Sequence, residues 1–574
     1  MSVKIKCSLG GRETCSFQAL AFTLMMSLGL LGLGALAGCG GTSSEVITIR
    51  LLDEFASATV EGESTDSVPS PPRTEWRFDG SASNANLQWK AGPGVAGLSV
   101  GDGFLKARST TEIPILHVER TSGLENRDVL HSVEVRMRAS EGANLAVMFS
   151  ASEELDLDAV VARARNSGAR AWSLTSPFVP GDSIQTYTLR KATSVTQPSF
   201  SSSAIRHIIF RPTDAAGVEI EIESVRLIFR KEYLANIPSG VSWQGFADIF
   251  RETLVTRSPE RVEFTLDLPA RPWLDLAVGT VEDGPVTFQV GVSRGGGGRN
   301  SESLLLKRTL TTPHRWEVNP VDLEDFADET VTLSLSVEAQ TNGALGFWGA
   351  PVIRSRGAMP HPGGVGGAPP QGVILIIGDT LRRDHLAAYG YSRSTAPTLS
   401  RLAAEGVLFQ DTQSQASWTK VSVPSILTSL YPTTHGIADI PDRMPASAVT
   451  IAEAYRQAGY ATWATSAVAF SGQQSNLHQG VEVLHERASV AEGGSKTARP
   501  FADRLLPWLE DHREVPFFVF LHAMDPHSPF EPRRPYNTLW ADPAKKEEHE
   551  QQVDKAHQFI KDENMKRFGM PTRE

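Results

Sequence analysis

Between residues 98 and 337 the chain returns repeatedly to strict alternation of apolar and polar residues. Ser132-Val-Glu-Val-Arg-Met-Arg, Val218-Glu-Ile-Glu-Ile-Glu, Arg261-Val-Glu-Phe-Thr-Leu-Asp-Leu, Val286-Thr-Phe-Gln-Val-Gly-Val and Val331-Thr-Leu-Ser-Leu-Ser-Val all show it. A period of two puts every second side chain on one face of a strand, so such runs suit half-buried strands and not helices. Gly and Asp punctuate the runs. Residues 74–232 and 240–356 are therefore each expected to form an all-β, sandwich-like region. The two share a style but no visible repeat. Trp76, Trp89, Trp243, Trp316 and Trp348 fall within them. Exposed aromatics on such sheets can bind sugars, but Trp is mostly buried, and core packing is the expected role.

Residues 357–371 are dominated by Gly and Pro, and they mark a linker. The pattern then changes. Val373-Ile-Leu-Ile-Ile and Phe517-Phe-Val-Phe-Leu are continuously apolar, as expected of strands buried on both faces of a parallel sheet. Pro397–Glu405 and Val449–Ala458 read as helices, stopped by Gly406 and Gly459, and Tyr460–Val468 as a further strand. Strands alternating with helices imply an α/β layered sheet. The expected architecture is thus multidomain, two all-β sandwich-like regions followed by a partial α/β sheet domain. Asp379 directly follows the first of these strands, at the carboxyl end where open α/β sheets build their sites. There it could bind a hard cation, or cap a helix.

The N-terminus is a targeting signal. Lys4, Lys6 and Arg12 precede an apolar run from about Phe17 to Ala37, which ends in Leu36-Ala-Gly-Cys39. That ending resembles a bacterial lipobox, which implies removal of residues 1–38 and lipid on Cys39. The protein would then be exported and held at a membrane, at the outer membrane or cell surface, by its acyl chains. The chain has three cysteines, Cys7, Cys15 and Cys39, so the processed protein would hold no disulfide. Residues 39–73, rich in Gly, Ser, Thr and Pro, are expected to be a flexible tether. The net charge of −11 and the lack of a long basic block argue against a nucleic-acid partner.

Four segments then appear in a fixed order. They are Val373-Ile-Leu-Ile-Ile-Gly-Asp-Thr-Leu-Arg-Arg-Asp-His, Ala396-Pro-Thr-Leu-Ser-Arg-Leu-Ala-Ala-Glu-Gly-Val-Leu-Phe, Ser417-Trp-Thr-Lys-Val-Ser-Val-Pro-Ser-Ile-Leu-Thr-Ser-Leu-Tyr-Pro-Thr-Thr-His-Gly, and Phe520-Leu-His-Ala-Met-Asp-Pro-His-Ser-Pro-Phe. Together they resemble the N-terminal half of the catalytic domain of the sulfatase family, within the alkaline-phosphatase-like superfamily. The resemblance spans about residues 372–536 and leaves out the sandwiches.

The resemblance implies a divalent metal (Ca²⁺ foremost, or Mg²⁺, Mn²⁺ or Zn²⁺) at Asp379, with Thr380 where many relatives carry a second aspartate. It places Thr419 at the nucleophile and His527 where a histidine contacts the ester oxygens. Sulfatases carry Cys or Ser at the nucleophile and oxidise it to formylglycine. Thr419 implies no formylglycine, and instead resembles the transferases in which a Thr oxygen attacks phosphorus. The family's Pro and Arg after the nucleophile are Val421 and Val423 here. Lys420 is adjacent to Thr419 and so points elsewhere, and His435 reads as structural.

The implied function is a cell-surface, metal-dependent hydrolase of sulfate or phosphate esters, glycans among the candidate substrates. A later Asp-His-Gly segment that completes the family's metal site is not found after His527. Residues 372–574 are therefore expected to be C-terminally incomplete, with a complementing half as a partner. A second reading stays open: a non-catalytic surface lipoprotein that binds glycan or protein through its sandwiches and carries a degenerate sulfatase-like domain.

Overall fold

The computed structural model describes residues 48–527 except 63–73, 80–88, 120–129, 168–171, 191–204, 236, 296–300, 360–368, 440–441 and 487–497, with scattered positions beyond 527. The expected targeting signal and Cys39 lie outside the described residues, as does most of the charged C-terminal segment.

The first β region is two antiparallel sheets. One runs Gly181–Leu189, Leu130–Ala139, Glu219–Phe229, Phe104–Ser109, Val95–Gly101, with Thr74–Arg77 also on Glu219–Phe229. The other runs Leu174–Pro177, Asn144–Ser150, His207–Arg211, Leu116–Glu119, Trp89–Ala91. The alternation sets the faces. Ile220 and Ile222 are buried with Val133, Val135 and Phe210. Glu221 and Glu223 point outward and pair across the strands with Arg138 and Arg136. Trp76 and Trp89 belong to this core and meet edge to face.

The second β region is built the same way on one side. Ser303–Leu310, Val286–Arg294, Thr330–Ala339, Arg261–Asp267 and Thr59–Glu61 form a five-stranded sheet. Its inner face, with Phe264, Phe288, Val290 and Leu333, packs on Leu274, Leu276 and Trp348 of a much larger sheet.

That larger sheet has eleven strands. Nine of its elements matter below: β1 (Thr48–Arg50), β2 (Ile249–Arg257), β3 (Pro272–Gly279), β4 (Trp316–Val318), β5 (Leu345–Ser355), β6 (Gly372–Gly378), β7 (Ala461–Ser466), β8 (Val483–Glu486) and β9 (Phe517–Ala523). The order is β4-β3-β5-β2-β8-β7-β9-β6, with β1 on β5. Strands β8, β7, β9 and β6 are mutually parallel, whereas β2 pairs antiparallel with β8, Ile249 opposite His485. The sandwich sheet and the α/β sheet are therefore one hydrogen-bonded surface, although a Gly/Pro segment separates them in sequence.

Helices α1 (Pro397–Glu405), α2 (Thr419–Thr428), α3 (Ile451–Gln457) and α4 (Ala498–Asp511) accompany the parallel strands. Thr450 and Glu453 close a reciprocal capping box that starts α3. Alternation in β9 serves both faces. Phe518 and Phe520 join the core that includes Val423 and Leu427 of α2 and Ala452 of α3, while Val519 and Leu521 pack with Leu505 and Trp508 of α4.

Two expectations need correction. Residues 48–61 are not tether. Thr48–Arg50 pairs with β5 and Thr59–Glu61 with Arg261–Asp267, and Leu51 and Leu52 are buried between the sheets. Three-residue strands are too short to carry a visible period, and the Ser/Thr/Gly-rich neighbourhood masked them. The second correction concerns β6. Val373, Leu375 and Ile377 face the helical core, but Ile374 and Ile376 are 46% and 64% exposed. β6 ends the sheet order, and none of the described elements covers that face of it. A continuous apolar run reads as two covered faces. Here one is covered.

The seam between the two parts of the large sheet is held by buried charge. Arg354 of β5 donates to Glu482 at 2.6 Å, and both are 2% exposed. Arg50 of β1 reaches the same carboxylate and Glu252, and Thr462 N–H adds a bond at 3.1 Å. Asp275 of β3 pairs with His512, just past α4, at 2.9 Å. Each charge has a partner, as burial requires.

Candidate active site

The parallel register delivers the site. Gly378 lies opposite Ala523, and the Asp379 N–H donates to the Ala523 carbonyl at 2.9 Å, which extends the ladder by one residue. Asp379 therefore stands at the carboxyl end of β6, beside the end of β9. Thr419 is the first residue of α2, whose N-terminus has no side-chain cap. Its hydroxyl donates to Asp379 Oδ2 at 2.7 Å. The free N–H groups and positive end of the ten-residue helix favour negative charge beside Thr419.

A residue not singled out from sequence completes the arrangement. His522, fully buried in β9, places Nε2 3.2 Å from the same Asp379 Oδ2. Its Nδ1 lies 2.8 Å from Ser471 Oγ, and Ser471 Oγ lies 2.7 Å from Ser466 Oγ. A carboxylate oxygen only accepts, so Nε2 donates to Asp379. A chain of bonds thus fixes the carboxylate that holds the Thr419 hydroxyl. The signal was present: a histidine inside a continuously apolar strand needs a partner.

Burial pushes the Asp379 carboxyl up, but the hydrogen bonds from His522 and Thr419 and the charges of His522 and His527 outweigh it, leaving the group below the usual carboxylate range. Asp379 is thus held as an anion, the form that accepts the Thr419 hydroxyl hydrogen bond. His527 sits in the turn after β9, its N–H on the Met524 carbonyl at 3.0 Å, close enough for its charge to act on Asp379.

The structure does not bring Thr380 to this point. It takes φ 60°, is exposed, and its hydroxyl donates to the Pro526 carbonyl at 3.0 Å. Lys420 also points away, into Asp442 O at 2.6 Å and Ser475 Oγ at 3.0 Å, and burial pushes its ammonium down to about 8. His435 is buried between the Ile437 N–H and Ser425, a packing role.

The donor set falls short of a metal centre. Asp379 is the single carboxylate at the point where Thr419 and His522 converge, and no group of three His, Cys, Asp or Glu could hold a metal among the described residues. A hard cation takes about six oxygens.

Residues 371–564 match the sulfatase family model. They form a sulfatase-family domain. The putative transferase YhbX of Escherichia coli (strain K12) is 31% identical over 163 residues, 27% of this chain and 27% of that protein. Bovine (Bos taurus) arylsulfatase A is 34% identical over 108 residues, 17% of this chain and 21% of that protein. The chain thus spans only 27% and 21% of the length of these curated relatives. Among solved structures, the phosphonate monoester hydrolase of Agrobacterium radiobacter is 19% identical, covering 29% of this chain and 43% of that one at a TM-score of 0.25. The CBM22 tandem of Paenibacillus barcinonensis Xyn10C is 11% identical, covering 51% and 99% at a TM-score of 0.21.

The sulfatase-family domain holds one more buried acid. Glu486, the last residue of β8, accepts the Gln473 N–H at 2.8 Å, yet burial pushes its carboxyl up to about 8. A raised carboxyl contributes stability that is fully present below the unfolded value of about 4.5 and is lost as pH rises through the folded value. Glu486→Gln is expected to flatten the decline in stability from mildly acidic to mildly alkaline pH. The gain at the alkaline end should be on the order of 2–4 kcal/mol. Chemical denaturation across that range checks this, and an unchanged slope would contradict it.

Proposed function

We propose that the sulfatase-family domain transfers the sulfuryl or phosphoryl group of an ester, with Thr419 as nucleophile. The observation that carries this reading is the 2.7 Å bond from the Thr419 hydroxyl to Asp379, at the open N-terminus of α2. Thr419 Oγ attacks the sulfur or phosphorus, and its proton passes to Asp379. The bond from that atom to the ester oxygen breaks, and the alcohol leaves with the proton that Asp379 took up. Water, or a second alcohol, then takes the group from Thr419. His522 holds Asp379 in place, and His527 is assigned to the ester oxygens. The free N–H groups at the start of α2 stabilise charge that develops on the transferred group. The name of the matched E. coli relative, a putative transferase, accords with a Thr nucleophile and with an alcohol as acceptor.

The test is turnover by the full chain of p-nitrophenyl sulfate, p-nitrophenyl phosphate and bis(p-nitrophenyl) phosphate, followed by nitrophenol release. The reading expects at least one to be consumed. Failure of all three, with and without added glycerol as acceptor, would contradict it.

The same reading makes the protein an exported lipoprotein held through Cys39. Cys39→Ala should move it from the membrane to the soluble fraction, and unchanged retention would sink the anchor.

A further inference from the structure

We propose a second binding site, for an oxyanion carried on a flat ring of about monosaccharide size, between the sandwich part of the large sheet and α4. A cavity of about 370 Å³ opens there, lined by Phe246, Ala247, Ile249, Arg315, Trp316, Glu317 and Arg504. That volume is at the lower end of ligand pockets, so it suits one ring and not an oligomer.

The floor is built to be flat. Trp316 in β4 lies across the sheet where Gly279 and Gly349 leave the backbone bare. A Cβ at Gly279 would fall 3.1 Å from the indole, and one at Gly349 would fall 2.8 Å from it. The indole is pinned by its own N–H, which donates to the Ile249 carbonyl at 3.0 Å, and by the Phe246 ring at 4.6 Å. Ala247 turns the adjoining hairpin with φ 51°. An indole held this way offers a rigid face to a sugar or an aromatic ring.

The rim is cationic. Arg315, beside Trp316, and Arg504, on α4, are both exposed. Among the described residues neither has a carboxylate partner. Glu317 is the acid in the lining, and it is already paired with Arg308. Two guanidiniums left open over an aromatic floor, in a chain of net charge −11, have the geometry that grips sulfate, phosphate or carboxylate oxygens in pairs. The Thr419 site is elsewhere. Strands β8, β7 and β9 separate β2, whose Ile249 lines this cavity, from β6, a distance of roughly 19 Å at the usual strand spacing. The inference is therefore independent of the ester chemistry.

The experiment is calorimetric titration of the full chain carrying Thr419→Ala, so that no probe is consumed. The probes are N-acetylglucosamine 6-sulfate, phenyl sulfate, N-acetylglucosamine and inorganic sulfate. At least one ring-bearing sulfate should bind saturably, with a Kd on the order of 0.1–1 mM. The neutral sugar and inorganic sulfate should each bind at least about 10-fold more weakly than that probe. Which of the two ring-bearing sulfates binds tighter separates a sugar from an aromatic ligand. Arg315→Ala combined with Arg504→Ala should abolish the binding at unchanged Tm, since both side chains are exposed. Absence of saturable binding would overturn the proposal. So would inorganic sulfate binding as tightly as the ring-bearing probes, or affinity unaffected by the double variant.

Discussion

Glu482→Ala is expected to cost about 3–5 kcal/mol of folding stability, the usual result of breaking a buried ion pair from one side. Glu482 accepts from Arg354 and Arg50 and from the Thr462 N–H, and it stands where β8 joins β2. Removing it strands the Arg354 guanidinium, 2% exposed, and takes one of the carboxylates from Arg50, which keeps Glu252. The control is Glu329→Ala. It breaks an exposed pair with Arg294, worth about 0–1 kcal/mol. Urea denaturation separates the two, and equal effects would contradict the seam. Burial alone would raise the Glu482 carboxyl, but the charges of Arg354 and Arg50 hold it below the ordinary value. A depressed carboxyl contributes stability that is present above the unfolded value, about 4.5, and is lost as pH falls through the folded one. The wild-type chain should therefore weaken in acid more than Glu482→Ala does. The same seam predicts that residues 369–574 expressed alone stay unfolded or aggregate, because β8 would show a bare edge where β2 now pairs.

Thr419→Ala is expected to lower turnover of whichever ester the chain consumes by on the order of 10³-fold or more, as loss of a nucleophile does. Stability should change little. Thr419 is the first residue of α2, and its side chain caps no backbone group. Thr419→Ser keeps the oxygen 2.7 Å from Asp379 and should retain activity within about 10-fold. A structural role would show the reverse: both variants losing stability, with activity following stability.

The sequence made the large elements legible because they repeat a physical pattern. Period two in Glu219–Phe229 and the apolar run in β9 mark strands of two kinds, and both form. Pro397 and Gly406 bracket α1 as read. Asp379 and Thr419 were found by motif and meet in space. The rest depends on long-range partners. His522 acquires meaning only because the parallel register sets it beside Asp379, 143 residues away. Glu482 and Arg354 are 128 residues apart, and no local pattern joins them. That β2 continues the α/β sheet is a matter of edge pairing, which composition does not encode. Thr380 failed as a companion of Asp379 because a positive φ turns it to Pro526, and backbone conformation at one residue is not written in the motif.

The most direct measurement is the mass of the peptide carrying residues 414–430 after the full chain is mixed with a consumed aryl ester and quenched in acid. The account predicts a sulfuryl or phosphoryl adduct on the Thr419 oxygen, absent in Thr419→Ala, with no aldehyde-bearing residue in the peptide. An adduct on any other residue, an aldehyde in the peptide, or turnover that persists in Thr419→Ala would contradict it.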